Sequence, residues 1–372
     1  MNRYAIFPLA LAGMGALNSA VAASFPDAEP SDRFVRACDA YGTGFLYIPG
    51  TETCLRISGY IQSDFGVGEE GKQFSGVHWI GNDGEWQDTY WSRMRTSFRV
   101  DARSETELGT LRAFTEILFN YGNSATSATY DPTTNSWSGA EHSFKQSQLL
   151  NKAFIELGGF TVGRTDSVFA SWTNFGGLVF WDTGYLGATT LGYGDIDSNL
   201  VSYIHEFGSG LSAVLSLEEG SGASQTDGYR PNVVGGIRYT TDRTTLSAVA
   251  VYDSVPGEWL GKVRYDLTLA DRFSVFAMGA YKSHDDSRPG QETAYGAWGG
   301  NWAAWAGLSR GVTAKTSVNA QIAYDAAETF LVSANLQHNV TKDFFVSPEL
   351  GYMRSEDDGG SWGFNLRMRR SF

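Results

Sequence analysis

The sequence predicts an all-β fold, a 16-stranded antiparallel transmembrane β-barrel, and three observations point to it. First, segments of about ten residues alternate apolar and polar side chains, roughly sixteen times along the chain. That is the period of a tilted strand with one face in lipid and one in water. Second, the links alternate too, with short turns at one end of the strands and longer loops at the other, as membrane barrels arrange them. Third, the chain carries an export signal, yet no later apolar run approaches the ~20 residues of a spanning helix. One stretch breaks the pattern. Residues 165–199 are rich in Gly and aromatics, lack Lys and Arg, and hardly alternate. A loop of that length has a function of its own more often than not.

The chain opens with Asn2 and Arg3, an apolar run from Ala5 to Leu17, and small residues from Ser19 to Ala23. This is a secretory signal peptide over 1–22, too short in its apolar part for an anchor. The rest, 23–372, shows no linker, composition break or low-complexity run, so a single barrel domain is expected. Its mildly polar hydropathy suits a barrel with a wet lumen as well as a soluble protein. A net charge of −13 argues against a nucleic-acid partner, which would need a basic face. Cys38 and Cys54 lie close together in an exported chain. Oxidising conditions favour their pairing, which would close a loop of about 15 residues worth about 3 kcal/mol. Two free thiols are the alternative; a metal pair lacks a nearby His or second Cys pair.

A Gly-rich knot from Cys38 to Cys54 precedes the first alternation. There Leu55, Ile57, Gly59 and Ile61 oppose Arg56, Ser58, Tyr60 and Gln62. A loop from about Gly66 to Asp88 follows. In the second strand Met94, Thr96, Phe98 and Val100 oppose Arg93, Arg95, Ser97 and Arg99. In the third, Leu111, Ala113, Ile117 and Phe119 oppose Arg112 and Glu116, and a polar loop is read from Tyr121 to about Lys145. Strands at Leu149–Leu157 and Phe160–Arg164 lead into the odd stretch. Eleven more follow it, from Leu200–Phe207 to Ser361–Phe372. Leu246–Asp253 is apolar on both faces, which subunit packing or misplaced boundaries would explain. Aromatics near strand ends, among them Tyr252, Trp259, Tyr281, Phe345, Tyr352 and Trp362, suit interfacial girdles, though aromatics favour any strand.

The run from Cys38 to Tyr60, CDAYGTGFLYIPGTETCLRISGY, resembles the opening of alphaproteobacterial porins. Gly159–Arg164 (GFTVGR) is similar to the strand before the constriction loop of trimeric porins, and Phe372 to the terminal signal of outer-membrane barrels. The resemblance implies a homotrimeric general diffusion pore of the Gram-negative outer membrane, with an inward-folded third long loop. Its partners would be outer-membrane lipid and lipopolysaccharide, and the small hydrophilic solutes and ions that pass. No cofactor is expected. Where enteric porins often read Pro-Glu-Phe-Gly-Gly, this chain reads Thr173-Asn174-Phe175-Gly176-Gly177, so the familiar eyelet Glu is Asn174.

Candidate constriction residues follow from the alternation. Arg56, Arg93, Arg95, Arg99 and Arg112 share the polar faces of the first three strands. Facing an acidic loop they would set up a field across the pore and govern ion selectivity; ordinary lumen ion pairing is the alternative. The loop offers Asp166, Asp182, Asp195 and Asp197. Asp195, Asp197 and Asn199 with Glu206 mimic a calcium loop, but Leu200 stands where that loop needs Gly. His78, His142, His205, His284 and His338 are scattered without ligand spacing, and no nucleophile motif supports an enzyme. A passive channel is the leading reading. A sugar-selective porin would need an aromatic track, for which Trp172, Phe175, Phe180, Trp181 and Tyr185 are candidates. A surface adhesin, a structural barrel and a soluble secreted β-protein are further alternatives.

Overall fold

The computed structural model describes residues 36–68, 76–179, 191–226, 228–285, 292–355 and 359–372. The signal segment 1–22 and Asp182, with Phe180, Trp181 and Tyr185, lie outside the described residues. Among the described residues sixteen strands form a closed antiparallel wall. They are β1 (Cys54–Gly68), β2 (Trp86–Thr106), β3 (Gly109–Thr126), β4 (Glu141–Leu157), β5 (Phe160–Asp166), β6 (Asp197–Gly208), β7 (Leu211–Glu218) and β8 (Asn232–Thr240). The rest are β9 (Thr244–Asp253), β10 (Glu258–Ala270), β11 (Phe273–Lys282), β12 (Trp302–Gly311), β13 (Thr316–Asp325), β14 (Phe330–Thr341), β15 (Phe344–Ser355) and β16 (Gly359–Ser371).

Each strand pairs with its sequence neighbours, and β16 returns to β1 from Tyr60↔Ser371 to Gly68↔Gly363. Closure removes the open edges that lipid forbids. The seam ends on Gly59 and Phe372, whose backbone N–H groups each donate to the other's carbonyl at 3.0 Å. A Cβ on Gly59 would lie 2.0 Å from the Ser97 carbonyl oxygen and 3.1 Å from the Phe372 ring. The terminal ring therefore closes over a position that only glycine can fill.

The outer face is apolar and exposed, as lipid requires. Ile57, Ile61, Phe98, Leu215, Val263, Ile322, Leu350 and Trp362 are 39–57% exposed there. Phe345 departs from the girdle expectation. It is in register with Arg369 and lies beneath that guanidinium, on the inner face. Cys38 and Cys54 form a disulfide that ties the N-terminal knot to the start of β1. β2, β3 and β4 run to 21, 18 and 17 residues. The loops expected at Gly66–Asp88 and Tyr121–Lys145 are thus partly strand, with β3 and β4 paired out to Thr126↔Glu141. Tyr90, Tyr121 and Phe144 share the outer phase there with Asp88, Gln146 and Gln148, so no clean period of two marks those ends in the sequence.

The double apolar character of β9 has an inward cause. Val249 and Val251, 4% and 1% exposed, belong to a buried cluster with Val214, Val234, Leu260 and Met278 on the inner wall. Phe169, Trp172, Leu191 and Tyr193, from the long loop between β5 and β6, cover that wall. Neither subunit packing nor misplaced boundaries is needed.

Candidate pore constriction

Two inner surfaces meet in this barrel, one free of the long loop's described contacts and one covered by it. The first is an arginine ladder across β16, β1, β2 and β3. Register places Gln62 beside Arg369 and Asp64 beside Arg367 on one side, and Gln62 beside Arg95 and Asp64 beside Arg93 on the other. The Asp64 carboxylate accepts from Arg93 Nη2 at 2.6 Å and from Arg367 Nε at 2.7 Å. Arg369 Nε donates to the Gln62 amide oxygen at 2.7 Å and its guanidinium lies 4.3 Å from the Tyr60 ring centroid. Arg95 Nε donates to Asn120 at 2.6 Å. Arg99 pairs with Glu116, which also accepts from Ser97 Oγ at 2.6 Å and Asn151 Nδ2 at 2.7 Å.

Lower on the same wall, Asp101 gathers three arginines. Arg103 and Arg112 both bind it through two nitrogens, at 2.8–3.1 Å, and Arg56 approaches to 3.5 Å. Arg112 also reaches Glu156 at 2.8 Å. Phe45 of the N-terminal knot stacks under Arg56 and Arg103 at 4.7 and 5.1 Å.

So Arg56, Arg93, Arg95, Arg99 and Arg112 form one inner surface, joined by Arg103, Arg367 and Arg369, which the sequence reading left out of the site. Arg103 has the parity of Arg93, Arg95 and Arg99, so that signal was present. Arg367 and Arg369 come alongside only when β16 closes the barrel. Eight arginines here meet four carboxylates, Asp64, Asp101, Glu116 and Glu156, among the described residues. Even with Glu105, on the same face of β2 and bonded to Tyr41, the wall is net positive among the described residues.

The second surface is the wall of β7–β14, which holds the long loop. A short helix, α1 (Val168–Ser171), starts the loop, with Ser167 Oγ accepting from the Phe169 N–H at 3.1 Å. Glu218 on β7 fixes that start, accepting from Ser167 Oγ at 2.7 Å and Val168 N at 2.9 Å. Further side chains of the wall bind loop carbonyl oxygens. Arg238 binds that of Trp172, and Arg264 Nη1 those of Phe175 and Gly176 at 2.8 and 2.6 Å. Lys262 Nζ takes Tyr193 at 2.6 Å, and Asn335 Nδ2 takes Leu178 at 2.8 Å. Trp172 is 5% exposed, its ring sandwiched between Gly236 and the Arg238 guanidinium. Its aromatic face is used for packing and not presented to the pore.

The acidic loop candidates separate. Asp166 and Asp197 pair in register, in phase with the exposed Val162 and Val201 and out of phase with the buried Leu200. Asp166 binds Lys152, and Asp197 lies 3.4 Å from Arg164. Asp195 stands beside Lys262. It is exposed to water, yet the protein crowded around it, with repulsion from Asp166 and Asp197, pushes its pKa up to about 6 against the pull of Lys262. Leu200 to Glu206, read as the second half of a calcium loop, lies within β6. No carboxylate–histidine cluster suited to a metal occurs among the described residues.

The family model for the porin subfamily matches residues 25–364. Porin Omp2b of Brucella suis biovar 1 (strain 1330) is 38% identical, covering 98% of this chain and 99% of that protein. Porin Omp2b of Brucella abortus (strain 2308) matches to the same extent. Among solved structures, the outer membrane channel DcaP of Acinetobacter baumannii superposes with a TM-score of 0.60 at 17% identity, over 88% of this chain and 99% of that one. An anion-selective porin from Comamonas acidovorans gives 0.51 at 14%, over 86% and 100%. Those two likenesses concern the fold alone.

Proposed function

The chain belongs to this porin family, an outer-membrane channel for passive diffusion of small hydrophilic solutes and ions, and on that premise we propose where its selectivity and assembly reside. The loop of residues 167–196 sets the narrowest section, and the arginine ladder lines the open side of it. The observation that carries this is the split inner wall. The described part of the loop is bonded to β7–β14, and the ladder on β16, β1, β2 and β3 lines the opposite side of the lumen. With eight arginines against four carboxylates, the ladder favours anions, as fixed pore charges do. Asp195 on the loop tempers that preference, while Asp166 and Asp197, which end β5 and begin β6, are paired locally with Lys152 and Arg164. Zero-current potentials in a salt gradient test the sign, and a clear cation preference would refute this account. Trp172 is consumed in packing, which weighs against a sugar track along the loop.

The porin works as a homotrimer in this reading. The outer faces of β7–β16 are apolar through mid-strand. On β4–β6, by contrast, Gln146, Gln148, Arg164 and Asn199 fall in the outward phase. A charged group such as Arg164 facing lipid near mid-membrane would cost roughly 2–4 kcal/mol, and the three amides would lose hydrogen-bond partners there, so this side is where another copy of the chain replaces lipid. The 1–22 signal directs export and is then cleaved. Unboiled gels check the assembly: Arg164→Glu, set beside Asp166 and Asp197, should shift trimer to monomer, while Val263→Thr on the far side should not. Equal behaviour of the two would remove the proposed contact.

A further inference from the structure

The loop of residues 167–196 is not held by the wall alone. Part of a second loop, the segment 292–301 between β11 and β12, also lies inside the barrel. Tyr295 is 0% and Trp298 2% exposed. Lys282, at the end of β11, donates from Nζ to the carbonyl oxygens of Gly296 and Trp298 at 3.1 and 2.9 Å, drawing this segment inward. Trp298 forms an antiparallel bridge with Leu191 of the first loop. The Trp305 ring, edge-on to Trp298 at 5.8 Å, donates from Nε1 to the Leu191 carbonyl at 3.1 Å.

Tyr295 touches both limbs of the first loop. Its ring meets Phe169, on the outgoing limb, edge to face at 5.7 Å and 87°. Its carbonyl oxygen faces Gly194 on the return limb, where φ is +78° and a Cβ would sit 2.3 Å from that oxygen. Its hydroxyl donates to Glu218 Oε2 at 3.0 Å, the carboxylate that anchors Ser167 and Val168. Glu218 is 1% exposed, so each donor to it matters, because a buried carboxylate is tolerated only while its hydrogen bonds are complete. Burial and the neighbouring Glu218 charge hold the Tyr295 phenol protonated far above its usual range, so it stays a donor. Thr293 Oγ1 donates to Asp253 at 2.7 Å and fixes the segment to the rim of β9.

We propose that segment 292–301 is a latch that seats the constriction loop and so fixes the width of the open channel, with Tyr295 as its positioning residue. Tyr295 binds neither solute nor ion; it acts through Glu218, Phe169 and Gly194. The proposal rests on the reading that residues 167–196 set the narrowest section. A loop seated by a shared carboxylate has a seated and a released state, and removing one donor shifts their ratio. Loss of one hydrogen bond to a buried charge shifts such a ratio about tenfold or more.

The test uses the full-length porin in planar bilayers. Tyr295→Phe should raise the fraction of time spent in altered-conductance states about tenfold. Heat-modified gel mobility should stay as in the wild type, because the backbone hydrogen bonds that close the wall do not involve Tyr295. Oxidation of a Leu191→Cys, Trp298→Cys pair in the Tyr295→Phe background should restore steady conductance, and reduction should release it again. Should Tyr295→Phe fail to fold, the same cysteine pair in the otherwise unaltered chain decides, since oxidation should suppress its spontaneous closures. Folded Tyr295→Phe with wild-type closures, or closures indifferent to oxidation, would overturn the latch. If arginine-ladder variants alter selectivity while these variants change nothing, the latch alone fails. If neither set alters conduction, the constriction reading fails with it.

Discussion

Replacing Arg93 and Arg95 together by Gln gives the sharpest test of the ladder. The substitution removes two of the eight positive charges on β16, β1, β2 and β3 and leaves the four carboxylates in place. The barrel should tolerate it. Asp64 loses Arg93 but keeps Arg367 at 2.7 Å and the Gln62 amide at 2.6 Å, and Arg95 bonds the neutral Asn120 side chain. An ion passing about 8 Å from one guanidinium feels about 0.5 kcal/mol in water, cut to about 0.2 kcal/mol by screening at 0.1 M salt. Deleting one arginine therefore favours a cation and disfavours an anion by about that much each. The permeability ratio moves about twofold per arginine and about fourfold for the pair, toward cations. The zero-current potential across a tenfold salt gradient reads this directly, and the shift should grow as bulk salt is lowered. A folded double variant whose potential stays at the wild-type value, at low and high salt alike, would place both side chains outside the conduction path. It would also refute the view that the ladder faces the open lumen.

Two further outcomes follow from individual residues. Asp195 is ionised above about pH 6 and neutral below it, so acidification through that range takes one negative charge off the loop. Anion preference should rise as the pH falls from 7 to 5, and Asp195→Asn should flatten that step; a step of unchanged size in the variant would assign the titration elsewhere. Gly59→Val should cut the yield of heat-modifiable folded barrel severely, because its Cβ would strike the Ser97 carbonyl oxygen and the Phe372 ring at the closing seam. Normal folding of that variant, read on unboiled gels, would contradict the close approach.

What the sequence determined by itself is local. A period of two is a property of one strand's backbone, so each alternation could be read from neighbouring residues alone. Arg93, Arg95 and Arg99 were legible as one face, Ile57 and Ile61 as the opposite one, and the short turns as one end of the wall. Cys38 and Cys54 were legible as a favoured pair because they stand close together in an exported chain. The tertiary structure decided everything that depends on closure. Arg367 and Arg369 join the ladder only because β16 lies against β1, a contact between opposite ends of the chain. Val249 and Val251 look out of place on a lumen face until Phe169, Trp172, Leu191 and Tyr193 of the long loop join them in one buried cluster. Asp166 and Asp197 resembled free acidic candidates, yet the pairing of β5 with β6 sets them against each other and beside Lys152 and Arg164. Tyr295 carried no signal in a polar, irregular stretch. Its role arises where two loops pack on one buried carboxylate, and packing between distant segments leaves no periodic trace in either.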